Sequence, residues 1–452
     1  VHWELAGNIF PQWPGWATGS FWAPDISRVG DTFFVYYAAR KRDAGMCVAV
    51  ATAAAPTGPY TDHGPLVCQA DGSIDPQNLV TADGRRFLVW KEDSNSVHRP
   101  THILIQPLSS DGLALQGAPQ PLLVNDAAWE GDIVEGPYMI AHGGQYYLFY
   151  SGGWCCNSGC NYALGVARSS SPTGPFEKDP DNPILASNEV LKCPGHHGMV
   201  EDPAGTWYAL YHAYTVADGE MIGREWGLQA VTWKDGWPQM NQGEGPAPSA
   251  PGTHPQVFPG DDAFGSVPNP AWLHRALPLR ASRTVRPGWL RLQAAPEPGQ
   301  VLMQTARGRS YRFSTRLDVA GAPGLFAGLV AFGDDHDALR LGVVGTGATR
   351  RVVARELHHG TARELAGVAI GAGPVELRIA VNGRALRLSY RSSGAPWRRL
   401  GTEVDGMFTA TWEHGSRPGV FVAGPDDATS ADFDWFHLDY DGATAPPRPG
   451  KR

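Results

Sequence analysis

Three carboxylates and a pair of imidazoles recur along the first half of the chain at what read as equivalent places: Asp25, Asp75, Glu135 and His196-His197. Each stands nine to twelve residues ahead of an aromatic position, namely Phe34, Phe87, Tyr147 and Tyr208. An Asp beside a proline often caps a turn through its own side chain, and that is a sufficient account of Asp25 taken alone. As a set, the residues have the types that acid–base cleavage of an acetal needs. One carboxyl must be protonated to donate to the leaving oxygen, and a second must be ionised to activate water or to attack. Glu135 lies in Asp132-Ile133-Val134-Glu135-Gly136-Pro137-Tyr138, among apolar neighbours that should raise its pKa, and Asp75 would add a like charge. The expectation is Glu135 as proton donor and Asp75 as the group that tunes and orients it. Glu130 and Asp132 are rival carboxylates, but they precede the apolar strand and are expected at its rim. Trp22, Trp129 and Trp154 offer flat faces for a sugar ring, although tryptophans are equally at home in β cores.

The elements that would position these groups repeat. Hairpin turns at Gly30-Asp31, Asp83-Gly84, Gly143-Gly144 and Ala204-Gly205 each lead into an apolar, aromatic-rich run: Phe33 to Tyr37, Phe87 to Trp90, Tyr146 to Tyr150 and Trp207 to Tyr211. Further out, Ala55-Pro56-Thr57-Gly58-Pro59-Tyr60 recurs as Ser171-Pro172-Thr173-Gly174-Pro175-Phe176. A repeat of roughly 50 to 60 residues with four short strands is the signature of a propeller blade, whose first strand lines a central channel. Val1-His2-Trp3-Glu4 reads as the last strand of an earlier unit. The fold expected is therefore all-β: a five-bladed β-propeller over 1–242, its first blade largely missing from this chain, and a C-terminal β-sandwich of concanavalin-like type over 261–442. Between them, 243–260 reads as a Pro/Gly-rich linker, and the Pro-rich, basic tail 443–452 is expected to be disordered.

Composition narrows the partners. A formal net charge of −8 disfavours nucleic acid and anionic membranes, and no run of 18 apolar residues is available to span a bilayer. With 55 Gly, 38 Pro and 18% charged residues, turns and short strands are favoured over long helices. A monomer is expected. Six cysteines fit an oxidising compartment, so the chain reads as secreted or extracytoplasmic. Fifteen pairings are open, and Cys155, Cys156 and Cys160 read as a disulfide-pinned loop rather than a metal site. The chain begins at Val1 without Met, which reads as processing or truncation. No Gly-x-Ser-x-Gly elbow occurs, which argues against a Ser-His-Asp hydrolase.

The motifs Phe21-Trp22-Ala23-Pro24-Asp25, Ser73-Ile74-Asp75-Pro76, Glu135-Gly136-Pro137 and Pro194-Gly195-His196-His197 resemble, in order and spacing, those of the family 43 glycoside hydrolases. That family includes arabinanases, α-L-arabinofuranosidases and β-xylosidases. The resemblance covers about residues 1 to 240, and the second half resembles the sandwich appended to certain members. It implies an inverting mechanism on arabinose- or xylose-containing glycans, with Glu135 as general acid and Asp75 as the pKa-modulating residue. It also implies a channel histidine at His196, which in some members binds a calcium ion through water; no other cofactor is expected. Trp22, Asp25, Trp154, His196 and His197 are the expected sugar contacts. The general base of the family is an Asp on the first blade, which Asp25, in the second-blade motif, does not match. Two alternatives remain: a fructan-cleaving propeller of the related retaining families, whose motifs are not found here, and a glycan-binding pseudoenzyme without a base.

Overall fold

A computed structural model describes residues 7–157, 159–216, 219–248, 260–265, 269, 271–274, 279–319, 322–411 and 414–440. The expected first-blade remnant at Val1 to Glu4, most of the linker and the C-terminal tail lie outside these residues. Among the described residues, 7–216 with 225–248 form one compact unit, and 219–224 with 260–440 form another.

The first unit consists of four antiparallel meanders, each hydrogen-bonded in chain order. They are β1 (Ala17–Val29), β2 (Thr32–Lys41), β3 (Met46–Ala53) and β4 (Thr61–Val67); β5 (Ser73–Val80), β6 (Arg86–Glu92), β7 (His102–Pro107) and β8 (Gln120–Val124); β9 (Val134–His142), β10 (Gln145–Gly152), β11 (Ala163–Ser169) and β12 (Glu177–Lys178); and β13 (Leu191–Glu201), β14 (Trp207–Thr215), β15 (Glu225–Lys234) and β16 (Trp237–Met240). The first strands of successive meanders lie against one another, β1 on β5, β5 on β9 and β9 on β13, which is a propeller-like arrangement of four blades.

The unbroken apolar runs of the second strands have a simple cause: both of their faces are covered. Leu88 and Trp90 pack with Phe34, Tyr36, Val48 and Val50 of the preceding blade, whereas Phe87 and Val89 pack with Val134, Met139, Leu148 and Tyr150 of the following one. Tyr147 and Phe149 continue the pattern against Met199, Ala209 and Tyr211. Trp90 is fully buried and donates its indole N–H to Gln69 Oε1 at 2.8 Å. Truncating such a side chain to Ala typically costs about 3–5 kcal/mol.

The second unit is a two-sheet sandwich. One sheet runs Leu273–His274, Gln300–Met303, Arg417–Ala423, Phe326–Phe332, Ala338–Val344, Arg351–His358, Thr361–Ala369. The other runs Ala281–Ser282, Leu290–Gln293, Ser430–Tyr440, Ser310–Val319, Val375–Asn382, Ala385–Ser392, and the last of these also pairs Arg398–Arg399 and Val404–Asp405. Alternate residues of both sheets, among them Phe313, Leu329, Leu341, Ile379 and Phe433, close the core between them.

Candidate active site

The first strand of every blade is bulged at the motif. Register shifts fall between Trp22 and Asp25, between Ile74 and Gln77, at Glu135 opposite Ser151, and between Gly195 and Gly198. Inside each bulge one residue takes a left-handed backbone: Ala23 (φ +45°), Asp75 (+55°), Gly136 (+56°) and His196 (+43°). A bulge re-aims a side chain that a regular strand would send elsewhere. The ladder also corrects the equivalence expected from sequence. Asp75 matches Ala23, Gly136 and His196, while Glu135 matches Trp22, Ile74 and Gly195, which pair with Ser151, Ala38, Lys91 and His212 respectively. Asp25 falls two positions beyond the bulge residue, with Gln77, Tyr138 and Gly198.

Asp75, Glu135 and His196 converge. Asp75, 6% exposed, accepts the Gly136 N–H at 2.9 Å, and its carboxylate lies 3.9 Å from His196 Nδ1. Gly136 is required here, since its φ is positive and a Cβ would come within 3.3 Å of the His196 backbone. Glu135 accepts from Lys91 Nζ at 2.7 Å through one oxygen and from the Tyr162 hydroxyl at 2.7 Å through the other. Lys91, 1% exposed, also donates to Asp93 at 2.9 Å. The His196 N–H donates to Ser151 Oγ at 2.8 Å, and the His212 ring stacks between Tyr162 and His196. Gly195 leaves room for the Tyr162 ring, which a Cβ there would strike.

The electrostatics depart from the expectation for Glu135. Burial pushes its carboxyl up, but Lys91, the Tyr162 hydroxyl and His196 outweigh this and hold it below the usual value. Asp75 goes the other way: burial first, then the charge of Glu135, raises it against the opposing pull of His196 and Lys91. The two carboxyls are thus shifted in opposite directions, Asp75 up and Glu135 down.

The remaining expected residues lie elsewhere. Asp25 accepts the backbone N–H of Asn78 at 2.9 Å, three residues beyond Asp75 on β5, and burial raises its pKa to about 6. It ties β1 to β5, the inner strands of adjacent blades. His197 does not share the surroundings of His196, as expected for successive residues of a strand, whose side chains alternate between faces. It is 5% exposed against the edge of Phe149, and burial lowers its pKa to about 3, so the ring is inside the fold and not on a channel surface. Trp22 packs on Ala38, Met46 and Ile74. Trp154 is 49% exposed and spends its indole N–H on the Cys156 carbonyl. Trp129 fills the space over Gly152 and Gly165 beside Tyr150, a packing role. Asp132 is exposed, whereas Glu130, expected at the rim, is fully buried and bound by Lys178, Tyr150 and two backbone N–H groups. The cysteines pair as Cys47–Cys68, Cys155–Cys156 and Cys160–Cys193, which pins the loop after Trp154.

Sequence reading missed Lys91 and Tyr162. Lys91 did leave a signal, as one of the chain's few lysines placed directly after Phe87-Leu88-Val89-Trp90. A cation at the end of a strand buried on both faces must have a buried partner.

A bladed β-propeller with buried carboxylates at its inner strand ends, followed by a β-sandwich, defines a class of carbohydrate-cleaving enzymes. The family model for glycosyl hydrolases family 43 matches residues 1–238, and that for the beta xylosidase C-terminal concanavalin A-like domain matches 262–439. The chain belongs to glycosyl hydrolases family 43. It is 25% identical to a putative beta-xylosidase of Escherichia coli K12 over 93% of this chain and 86% of the relative. It is 28% identical to the arabinan endo-1,5-alpha-L-arabinosidase A of Aspergillus niger over 52% of this chain and 79% of the relative. Among solved structures, the GH43 BlXynB protein of Bacillus licheniformis superposes with a TM-score of 0.79 at 25% identity, covering 93% of this chain and 86% of that one.

Proposed function

We propose that the protein hydrolyses arabinose- or xylose-containing plant glycans with inversion, Glu135 acting as general acid and Asp75 setting its protonation. The observation that carries this reading is the shared site of Asp75, Glu135 and His196, in which two carboxylates from adjacent blades are coupled through the Gly136 N–H. The pentose substrate class is supported by the arabinosidase and xylosidase names of the relatives. Burial and the charge of Glu135 make Asp75 the harder of the two to ionise. A sugar seated over the pair excludes water and disfavours two adjacent negative charges, so the pair holds one proton until Glu135 donates it to the leaving oxygen as the glycosidic bond breaks. Tyr162 and Lys91 then stabilise the Glu135 carboxylate once the proton has left. His196, one-third exposed beside Asp75, contacts the sugar.

An inverting reaction also needs a base roughly 6.5–9.5 Å from the donor, on the opposite face of the ring. Asp25 is committed to Asn78 and Asp75 is bonded to the residue next to Glu135, so this reading assigns the base to a further carboxylate, on the additional blade that the family resemblance implies. A hydrated calcium ion near His196 belongs to the same reading. The ring's exposure and its carboxylate neighbour suit a water-mediated contact, and the ion would supply positive charge that favours ionised carboxylates. Three disulfide pairs support an extracytoplasmic site of action.

The test is an assay of aryl arabinofuranosides, aryl xylosides, arabinan and a fructan, using residues 1–452 and the same chain extended by the residues encoded upstream. Pentoside cleavage restricted to the extended chain supports the whole reading. Full activity of 1–452 would remove the fifth-blade base, and fructan cleavage alone would remove the substrate class. Pentoside binding without turnover in both forms would leave a glycan-binding protein.

A further inference from the structure

In the seven-stranded sheet of the sandwich, two neighbouring hairpins end side by side. Phe326–Phe332 and Ala338–Val344 are joined through Gly333-Asp334-Asp335-His336-Asp337, and Arg351–His358 and Thr361–Ala369 through His359-Gly360. The register that pairs Ala338 with Leu357 sets Asp337 beside His358. The two-residue turn has positive φ at both His359 (+49°) and Gly360 (+75°), the twist-matched hairpin form, which turns the His359 ring back over the His358 ring at 4.0 Å.

These hairpins are fixed to one another. Asp334 Oδ1 accepts the N–H groups of His336 and Asp337, and Gly360 N–H donates to the His336 carbonyl at 2.9 Å. Asp337 accepts the His359 N–H at 3.1 Å and His358 Nδ1 lies 2.6 Å from it, while His359 Nδ1 is 4.0 Å from its other oxygen. The three side chains present one donor atom each, all within 4.8 Å of one another, and no other such group of His, Cys, Asp or Glu exists among the described residues.

We propose that Asp337, His358 and His359 form a binding site for a divalent transition-metal ion of the zinc class, distinct from the propeller site. Two imidazoles and one carboxylate are the donor set such ions prefer, with water as the fourth ligand, whereas calcium would require mostly oxygen. Ligands at about 2.0–2.2 Å from a tetrahedral ion sit roughly 3.3–3.5 Å apart, so the His358–Asp337 pair, 2.6 Å apart, must open by roughly 0.8 Å and the His359–Asp337 pair, 4.0 Å apart, must close by roughly 0.6 Å. His359 is 83% exposed and can make that movement. Asp337, 13% exposed and anchored by a backbone N–H, can stay in place while the half-exposed His358 ring moves off its oxygen. The two stacked rings must swing apart for their in-plane lone pairs to converge on one ion, and both lie at the exposed hairpin end where that is possible. A bound ion would clip the two hairpins together and stabilise the sandwich without touching the carboxylates of the propeller.

The probe is Co²⁺ alone, added to the metal-stripped full chain, followed by visible absorption and by thermal melting with Zn²⁺. The expected result is one equivalent of Co²⁺ with tetrahedral d–d bands. At roughly a hundredfold excess over Kd, Zn²⁺ should raise the melting temperature of the sandwich by about 5–10 °C. His359→Gln should weaken binding about tenfold or more, and His358→Ala with His359→Ala should abolish both signals. Both changes sit on an exposed hairpin end, so the apo melting temperature reports whether the fold survives. His196→Ala should leave both signals intact. Absence of stoichiometric Co²⁺ from the wild-type chain, the same spectrum in the double variant, or loss of the spectrum in His196→Ala would each overturn the assignment.

Discussion

The third blade carries two glutamates, five positions apart, that have nearly the same partners. Glu130 takes a lysine (Lys178, 2.6 Å) and a tyrosine hydroxyl (Tyr150, 2.7 Å); Glu135 takes Lys91 and Tyr162, each at 2.7 Å. The difference lies in what else reaches them. The N–H groups of Asp126 and Ala127 fill the remaining lone pairs of Glu130, and the side chain is sealed at 0% exposure. Glu135 keeps 13% of its surface open, lies beside a second buried carboxylate, and feels His196 as well. A Glu–Lys–Tyr cluster is thus not in itself a reactive site. Chemistry becomes available where one carboxylate is left incompletely satisfied next to another that competes for its proton.

Substitution of the two glutamates sharpens this contrast most. Glu135→Gln should lower turnover on poor leaving groups by about 10²–10⁴-fold and spare activated aryl pentosides, at some cost in melting temperature because buried Lys91 keeps only Asp93 as counter-ion. Glu130→Gln should leave turnover little changed while costing about 3–5 kcal/mol of stability, because Lys178 loses its buried counter-ion and keeps only the exposed Asp126. Turnover and chemical denaturation measured on both variants decide it, and an exchange of the two outcomes would break the comparison.

A smaller effect separates the neighbours of Glu135. Asp75→Asn removes a negative charge that favours protonation of the pair, so the alkaline limb of the pH–rate profile should move down by about one unit. Lys91→Met removes the cation that depresses Glu135, so the same limb should move up, at some cost in stability. Limbs that shift together would show that neither residue acts on the donor.

The smallest effect concerns Asp25, outside the pair. Its folded pKa of about 6 lies above the usual 3.8, so its contribution to stability is fully present below about pH 4 and is lost as pH rises through 6. Asp25→Asn keeps an acceptor for Asn78 and removes the charge. Melting at pH 7 should improve by about 1–2 kcal/mol, with a flatter decline between pH 4 and 6.

The blades were legible because a strand covered on both faces has little choice but a continuous apolar run, as Phe33 to Tyr37 and Tyr146 to Tyr150 demonstrate. The gathering of Asp75, Glu135 and His196 was legible too, through repetition. The alignment among them was not. A bulge adds a residue without changing the composition, so sequence spacing cannot tell whether Asp25 or Ala23 is the counterpart of Asp75. For the same reason His196 and His197 could not be told apart, although one faces the carboxylates and the other is enclosed near Phe149. The depressed Glu135 was hidden because its controlling charge, Lys91, comes from the adjacent blade.

The four bulges have one further consequence. Ala, Asp, Gly and His occupy the same left-handed backbone position in successive blades, so the direction in which that position points is set by the ladder and not by the side chain it carries. The position behaves as a socket that accepts different fittings. Two of the four hold ionisable groups, one holds a glycine that lends its N–H to the neighbouring blade, and one, Ala23, holds a methyl group. An L-residue pays about 1–2 kcal/mol to sit in that conformation, and Ala23 already does so without giving a functional group in return. It is the vacant fitting of the set, and the place where a new acid, base or ligand could be grafted with its aim already determined.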